Sequence, residues 1–431
     1  MTAPLMHNPK DWKSLRFGQK ARAWFVVILA SFFFFYEFIQ MNMFNSLSQN
    51  FEQTFSLTAL QVGLVSAFYF LSDSILLYPI GIILDRYSSR KMIIWGMILC
   101  ILGTLMISLA SNSWLLVLAR LLAGSAAAFC LLSILRLATM WFPATKMGQV
   151  SGIAITVGML GGAVSQAPLT WLISLVGWRE ALRDVAGLGV ALLILIIIFV
   201  KDAPPSQAFS SLALGNNQVS LWKNFKTLCR NTSNWHVGFF IATMNLPIML
   251  LAGLFGTQFL SQGEGFTYLQ GSTISMMIFV GTIVGSTLTG VLSDFLKCRR
   301  LPMIACSIAS FLVFGFILFG PHPSYLTELV LFFILGLLTA AQIIGYPVAQ
   351  ELNPRALSGS ALGFISVIIM GLPVILQPLT GYLMDWHAHG RSIYNLSDYR
   401  YGLVILMIGF VVSLVNVFFL PESYGVNKNE I

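Results

Sequence analysis

Charged residues are scarce in this chain. Asp, Glu, Lys and Arg make up 9% of its 431 residues, and hydrophobic residues make up 57%. A soluble domain carries about 25% charged residues, so a chain of this composition cannot cover itself with a surface that faces water. The sequence therefore predicts an integral membrane protein.

Cysteine is also sparse, and motifs of enzymes are missing. The five cysteines show neither paired spacing nor the spacing of a metal site. The chain contains no nucleotide-binding P-loop, no zinc-hydrolase motif and no nucleophile elbow. The pair His387 and His389 lacks a third ligand. We therefore predict no enzyme activity, no metal site and no cofactor. The polar N-terminal segment lacks the pattern of a cleavable signal peptide, so the first helix is expected to insert uncleaved.

Long apolar runs are abundant instead. Twelve of them reach the length of about 20 residues that a membrane-spanning helix needs, and the alternation of an outer-membrane β-barrel is absent. Six lie near 22–45, 56–82, 92–110, 114–140, 147–174 and 184–201, and six near 235–260, 270–292, 301–320, 326–350, 357–384 and 401–420. We predict an all-α membrane protein with 12 transmembrane helices.

Lys and Arg residues set the expected orientation, because they are enriched in cytoplasmic segments. With the N-terminus inside, the inner segments hold 18 of these residues, and the outer loops hold four, which are Arg179, Arg183, Arg391 and Arg400. Both termini are therefore predicted to be cytoplasmic. The net charge of +8 is mostly this topological signal and does not indicate a nucleic-acid partner.

The two halves of the chain repeat three short patterns in the same order, at offsets of 209 to 211 residues. The pairs are Gly81-x3-Asp85-x4-Arg90-Lys91 with Gly290-x3-Asp294-x4-Arg299-Arg300, Pro143-x4-Gly148-x3-Gly152 with Pro354-x4-Gly359-x3-Gly363, and Pro168-Leu169-Thr170 with Pro378-Leu379-Thr380. The repetition predicts two pseudo-symmetric six-helix bundles related by an axis along the membrane normal.

The domain boundaries follow from the repeat and from one long polar connection. We expect a cytoplasmic tail at 1–21, an N-terminal bundle at 22–201, a cytoplasmic linker at 202–234, a C-terminal bundle at 235–421 and a second cytoplasmic tail at 422–431. The end of the linker is either a short helix on the inner membrane surface or a solvated basic loop.

The stretch GIILDRYSSRK, residues 81–91, resembles the signature loop between the second and third helices of the major facilitator superfamily. Arg120-x-x-x-Gly124, Trp141-Phe142-Pro143 and Gly177-Trp178-Arg179 follow in the usual order of that family. The resemblance implies a secondary transporter that works by alternating access. Residues 157–168, VGMLGGAVSQAP, lack the Gly-Pro pair of the antiporter motif of drug/proton exchangers, which counts against drug export.

The resemblance also implies a set of gating residues at the inner ends of the helices. In the family, the acidic residue of the loop lies against the positive N-terminus of the eleventh helix, and the basic residues form ion pairs nearby. The candidates are Gly81, Asp85, Arg86, Arg90 and Lys91 in the first copy, Gly290, Asp294 and Arg299 in the second, and Ser358 and Gly359 as partners of Asp85. The alternative is that these residues only set topology and form a tight turn.

Four ionisable residues fall well inside predicted helices of the first half, namely Glu37, Asp73, Arg120 and Arg136. Each such residue at a helix centre costs about 2.5–3.5 kcal/mol on insertion scales, and such residues normally mark a substrate or proton path. By depth, Glu37 is expected near Arg120, and Asp73 near Arg136. The two arginines lie on roughly opposite faces of one helix, so we favour Arg120, which occupies the motif position. Fixed ion pairs that only hold helices together are the alternative.

Uncharged polar residues extend this candidate site. Gln40 shares a helical face with Glu37, and Tyr69 shares one with Asp73. Gln166, Asn245, Gln342, Tyr346 and Gln377 form a candidate binding ring, although each alone is also consistent with a hydrogen bond between helices.

These observations predict a monomeric, proton-coupled secondary transporter in a bacterial inner membrane. Its solute is expected to be small, polar and organic, such as an amino acid-like zwitterion, an organic anion or a metallophore. Two alternatives remain open, a drug or organic-cation/proton antiporter and a sensor or receptor with a transporter fold that binds without flux. The expected partners are the solute, protons (or Na⁺ in their place) and the lipid bilayer.

Overall fold

A computed structural model describes residues 17–202, 221–321, 324–354, 357–391 and 393–424, without the side chains of residues 78–79, 81–86, 144 and 221–225. All regular structure in these ranges is helical. The predictions for the N-terminal tail before residue 17, for linker residues 203–220 and for the tail from residue 425 lie outside the described residues.

Twelve helices are long and apolar enough to cross a membrane, and each overlaps one predicted span. In the first half they are α1 (Phe17–Phe55), α2 (Ala59–Arg86), α3 (Ser89–Ser108), α4 (Ser113–Trp141), α5 (Met147–Val176) and α6 (Trp178–Phe199). In the second half they are α7 (Thr232–Gly263), α8 (Tyr268–Leu296), α9 (Arg300–Phe319), α10 (Tyr325–Glu351), α11 (Ser358–Ala388) and α12 (Leu396–Phe418). The predicted all-α, twelve-span fold is confirmed.

Two helices extend further than the hydropathy predicted. α1 continues from the predicted end at 45 to Phe55 because Phe44, Leu47 and Phe51 stay on one buried face. α6 begins at Trp178 rather than at 184, directly after Gly177, whose φ of 82° reverses the chain. Both extensions contain polar or charged residues, so a search for apolar runs does not include them.

The connection between the halves ends in a short helix, Leu221–Arg230, in which Leu228 is buried. This helix lies within the predicted linker. The division of the chain into tails, bundles and linker at the predicted residues stays a prediction.

Several membrane helices are irregular near their centres. α5 is interrupted at Gln166, whose ψ of −111° is not helical, and Pro168 follows at the start of the next helical segment. α7 contains a π-helical stretch, Pro247–Phe255, which begins at a proline, and α10 contains the 3₁₀ stretch Ala340–Ile344. Irregular backbone frees carbonyl groups that other side chains must satisfy.

Among the described residues, the hydrogen bonds that join the two halves lie at their outer ends. Gln166 Nε2 donates to the carbonyl of Ala252 (2.8 Å), and the Thr257 N–H donates to Asn45 Oδ1 (2.9 Å). Gln258 Nε2 donates to Glu52 Oε2 (2.7 Å). The two halves are thus closed against each other on the outer side.

Three glycines nearer the inner side have no close neighbours. A Cβ built at Gly152 in α5, at Gly290 in α8 or at Gly363 in α11 would meet no heavy atom within 4 Å. The hydrogen bonds described above therefore belong to a state in which the outer side is closed.

Candidate functional site

Three buried side chains from three helices form the centre of the first half. Glu37 lies in α1, Tyr69 in α2 and Arg120 in α4, and none is more than 4% exposed. The Tyr69 hydroxyl donates a hydrogen bond to Glu37 Oε1. Arg120 Cζ lies 4.4 Å from the centroid of the Tyr69 ring and 4.3 Å from that of the Phe44 ring. Tyr69 therefore contacts both the carboxyl group and the guanidinium, and the guanidinium also gains cation–π contacts.

The spacing Arg120-x-x-x-Gly124 has a structural cause. A Cβ at Gly124 would lie 2.0 Å from the carbonyl oxygen of Tyr69 and 2.3 Å from Ser72 Oγ. The missing side chain allows the backbones of α2 and α4 to touch. Since residues four apart lie on the same face of a helix, this contact places Arg120 directly against Tyr69.

Arg120 uses only part of its hydrogen-bonding capacity. Its Nη1 donates to the carbonyl of Gln40 at 2.6 Å, whereas Nε and Nη2 have no partner within the described part of the chain. The side-chain amide of Gln40, which is also fully buried, has no partner there for either of its polar atoms. The Nε and Nη2 groups form one edge of the guanidinium, and that edge binds carboxylates and related anions in a bidentate manner.

Asp73 adds a second carboxyl group one helical turn after Tyr69. It is 5% exposed, and its Oδ1 has no hydrogen-bond partner among the described residues. Glu37, Asp73 and Arg120 are the buried charged side chains in the described part of the first half. Two acids and one base leave an excess negative charge, which a proton or a bound cation would offset.

Arg136 lies away from this cluster. Its side chain is half-buried, and Nη1 donates to the carbonyl of Tyr87 at 3.4 Å, next to the inner end of α2. The structure therefore does not bring Arg136 to Asp73, and the expectation from depth that these two residues lie together is wrong. Nor does it place Glu37 and Arg120 in a direct ion pair, because Tyr69 contacts both.

Two of the predicted ring residues bind the backbone of α7. Gln166 Nε2 reaches the carbonyl of Ala252 (2.8 Å), and Gln377 Nε2 reaches that of Met249 (2.9 Å). Both carbonyls belong to the π-helical stretch Pro247–Phe255. The two glutamines thus supply donors to backbone that the irregular helix frees.

The other three ring candidates lie in α7 and α10. Asn245 lies two residues before the π-helical stretch, and Gln342 lies in the 3₁₀ stretch of α10; they are 9% and 5% exposed. Tyr346, one turn closer to the inner side, is 36% exposed. Their role in binding stays a prediction.

The sequence reasoning missed Asn45. It is buried, donates to Gln166 Oε1 (2.6 Å) and accepts from the Thr257 N–H (2.9 Å), so it joins three helices. It was overlooked because α1 was expected to end there. The apolar residues Phe44, Leu47, Phe51 and Phe55 recur at helical spacing, and that periodicity could have revealed the extension.

Comparison with known proteins gives the family. The sequence profile of the major facilitator superfamily matches residues 24–378 and, in a second match, 259–430. The chain belongs to the major facilitator superfamily. As a member, it is a multi-pass membrane protein and a secondary transporter, not an enzyme.

Individual relatives of the superfamily are distant. The chain is 22% identical over 343 residues to the hexuronate transporter of Bacillus subtilis (strain 168), covering 77% of this chain and 80% of that protein. It is 22% identical over 357 residues to the membrane sensor protein UhpC of Escherichia coli (strain K12), covering 76% and 79%. A crystal structure of a mutant of the nucleoside transporter NupG matches with a TM-score of 0.74 at 15% identity, over 93% of this chain and 99% of that one.

The first superfamily signature loop is bound to its own half of the protein. The side chains of Gly81, Asp85 and Arg86 lie outside the described residues. The Arg90 N–H donates to Asp202 Oδ1 (2.9 Å), and its guanidinium donates to the carbonyl of Ile197 (2.6 Å) at the end of α6. Lys91 is exposed, and its N–H binds the capping hydroxyl of Ser88 (3.3 Å).

The second copy of the loop repeats this arrangement at the end of α12. Arg299 forms ion pairs with Asp294 (2.8 Å) and with Glu351 (3.2 Å). Glu422 accepts from the N–H groups of Arg299 (2.8 Å) and Arg300 (3.1 Å). Partial burial raises the pKa of Glu422, but hydrogen bonds from the Cys298 thiol and from these N–H groups outweigh it and lower the pKa to about 2.

The predicted partners of Asp85 lie at the start of α11, and the side chain of Asp85 itself lies outside the described residues. Ser358 is half-buried, and a Cβ at Gly359 would meet open space, as would one at Gly290. The gating roles of these residues stay predictions.

Proposed function

We propose that this transporter carries a small polar organic solute with an anionic group, together with protons, by alternating access. We assign it to a bacterial inner membrane and expect it to act as a monomer. The observation that carries the proposal is the Nε–Nη2 edge of the fully buried Arg120, which has no partner among the described residues. The side-chain amide of Gln40, whose backbone carbonyl binds Arg120, has none there either.

The free edge of Arg120 suits a carboxylate or a similar anion, because a guanidinium binds such groups through two parallel hydrogen bonds. The amide of Gln40 offers both a donor and an acceptor to a neutral polar group of the solute. The free Oδ1 of Asp73 offers an acceptor to an amine or a hydroxyl. An organic anion or an amino acid-like zwitterion satisfies all three groups. The similarity to a hexuronate transporter, whose named substrate is an organic anion, supports the same class.

Charge balance supports proton coupling. An anionic solute adds a further negative charge to a centre that already holds two carboxyl groups and one guanidinium. Protonation of Glu37 or Asp73 offsets that charge, so the solute and the proton enter together. The contact of Tyr69 with both Glu37 and Arg120 connects the carboxyl group to the guanidinium that binds the solute.

Thermal stabilisation of the detergent-purified protein tests recognition. Organic anions including hexuronates, amino acids, metallophores and organic cations would be screened, since a ligand at about 100 times its Kd adds about 2.7 kcal/mol. Arg120→Gln is expected to abolish the stabilisation, and the control Arg136→Gln is expected to keep it. An unchanged response in a folded Arg120→Gln protein would overturn the assignment of the site.

Flux in proteoliposomes tests the coupling. Uptake of the identified solute should rise with an inward proton gradient, and Glu37→Gln or Asp73→Asn should remove that dependence. Flux that does not depend on the proton gradient would exclude proton coupling. Binding without any flux would favour a sensor, a function that the similarity to UhpC keeps as the second candidate.

A further inference from the structure

The N-terminus of α2 is capped by a side chain from the other half of the protein. Asp385, near the outer end of α11, accepts hydrogen bonds from the N–H of Ala59 on Oδ1 (3.2 Å) and from the N–H of Leu60 on Oδ2 (3.1 Å). The first N–H groups of a helix have no partners within the helix and form the positive end of its dipole. A carboxylate is therefore well suited to this position.

Tyr394 completes the cap. Positive φ values at His389 and Gly390 turn the chain back after α11, and Tyr394, which is 8% exposed, returns over the start of α2. Its hydroxyl accepts from the N–H of Ala59 (3.0 Å) and donates to Asp385 Oδ1. The hydroxyl thus holds both the helix terminus and the carboxylate in place.

The backbones of α2 and α11 touch directly beside this cap. A Cβ at Gly381 would lie 2.3 Å from the carbonyl oxygen of Ala59, and one at Gly63 would lie 2.6 Å from that of Gln377. The half-buried Asp385 also lines an outer cavity of about 750 Å³. Water from that cavity can replace its hydrogen bonds when the helices separate, so the contact is reversible.

We propose that Asp385 and Tyr394 form the outer latch of the transport cycle. The latch holds the outer end of α2 against α11 while the outer side is closed, and it breaks each time the outer side opens. The same two helices would exchange roles at the inner side, where an acidic residue of α2 is predicted to face the N-terminus of α11. The proposal depends on alternating access and not on the identity of the solute.

Distance measurements between spin labels test the latch without any substrate. The labels are placed at Ser111, in the outer loop before α4, and at Leu326, at the outer end of α10. Both residues are exposed and belong to different halves. The half-buried native cysteines, Cys229, Cys298 and Cys306, are replaced by serine, and the full chain is reconstituted in lipid.

Asp385→Asn is expected to increase the ratio of long to short outer distances about tenfold, because it weakens the charge-assisted hydrogen bonds from Ala59, Leu60 and Tyr394. Tyr394→Phe should shift the ratio in the same direction by a smaller factor. The matched control is Asp184→Asn, the same chemical change at an exposed position of α6. A ratio in Asp385→Asn no larger than in Asp184→Asn would overturn the proposal. If Asp385→Asn does not fold, an unshifted Tyr394→Phe protein would overturn it equally.

Discussion

The substitution Gly124→Ala is expected to separate α2 from α4. A Cβ at this position would lie 2.0 Å from the carbonyl oxygen of Tyr69, whereas ordinary contact begins at 3.4 Å, so the helices must move apart by the difference, about 1.4 Å. The obstacle is backbone and cannot rotate away. Overpacking of this kind costs about 1–3 kcal/mol or more, and the better helix propensity of alanine returns at most about 1 kcal/mol. We expect a net loss of about 2 kcal/mol in the free energy of unfolding.

The same displacement should disable the site, because it moves Arg120 away from the ring of Tyr69. The measurements are the Tm of the purified protein and the thermal shift produced by the solute that the screen identifies. Gly187→Ala in α6 is the matched control, since its Cβ would meet no atom within 4 Å. If Gly124→Ala keeps the Tm and the ligand response of Gly187→Ala, the explanation of the Arg120-x-x-x-Gly124 spacing is refuted.

Three further outcomes follow from the contacts described above. Gly381→Ala should favour the outward-open state in the spin-label experiment, because its Cβ would meet the backbone of α2. The control Gly371→Ala in the same helix should not, since its Cβ would meet open space. Equal label distances in the two variants would contradict the close contact between α2 and α11. Tyr69→Phe should lower the free energy of unfolding by about 1–3 kcal/mol, because the carboxyl group of Glu37 loses its hydrogen-bond donor. It should also weaken proton-dependent uptake. Uptake that depends on the proton gradient as in the wild type would argue against a role of Tyr69 in coupling. Glu422→Gln should lower the Tm at pH 7 by the equivalent of less than about 1 kcal/mol, since the group is exposed. The pKa of Glu422 falls from 4.5 to about 2 on folding, so this stabilisation is present above about pH 4.5 and lost as the pH falls towards 2; a gap in Tm that does not shrink between these values would exclude it.

Hydropathy and the Lys/Arg distribution were sufficient to predict the fold, because a membrane helix must satisfy its own backbone wherever it faces lipid. The repeated Gly-Asp-Arg pattern then divided the chain into two halves. The end of α1 at Phe55 could not be found in this way. Residues such as Asn45 and Glu52 are polar but contact the other half of the protein, and hydropathy does not distinguish a polar contact from a polar loop.

The candidate site was predictable as a set of residues but not as a geometry. Buried charges are so unfavourable in a bilayer that Glu37, Asp73 and Arg120 stand out in the sequence. Depth estimates placed Arg136 near Asp73, yet they contain no information on helix tilt or on which face meets which neighbour. The cap on α2 by Asp385 was invisible for a similar reason, since its partners are backbone N–H groups that every sequence possesses.

The glycine contacts between α2 and α11 have a consequence for how such proteins diversify. At Gly63 and Gly381, where the two backbones meet, the fit of α2 against α11 depends on main-chain atoms. If Gln40 and Asp73 bind the solute as proposed, substitutions there alter which solute is recognised without changing how α2 meets α11. On the proposed function, recognition of the solute and the fit of these two helices can therefore change independently of each other.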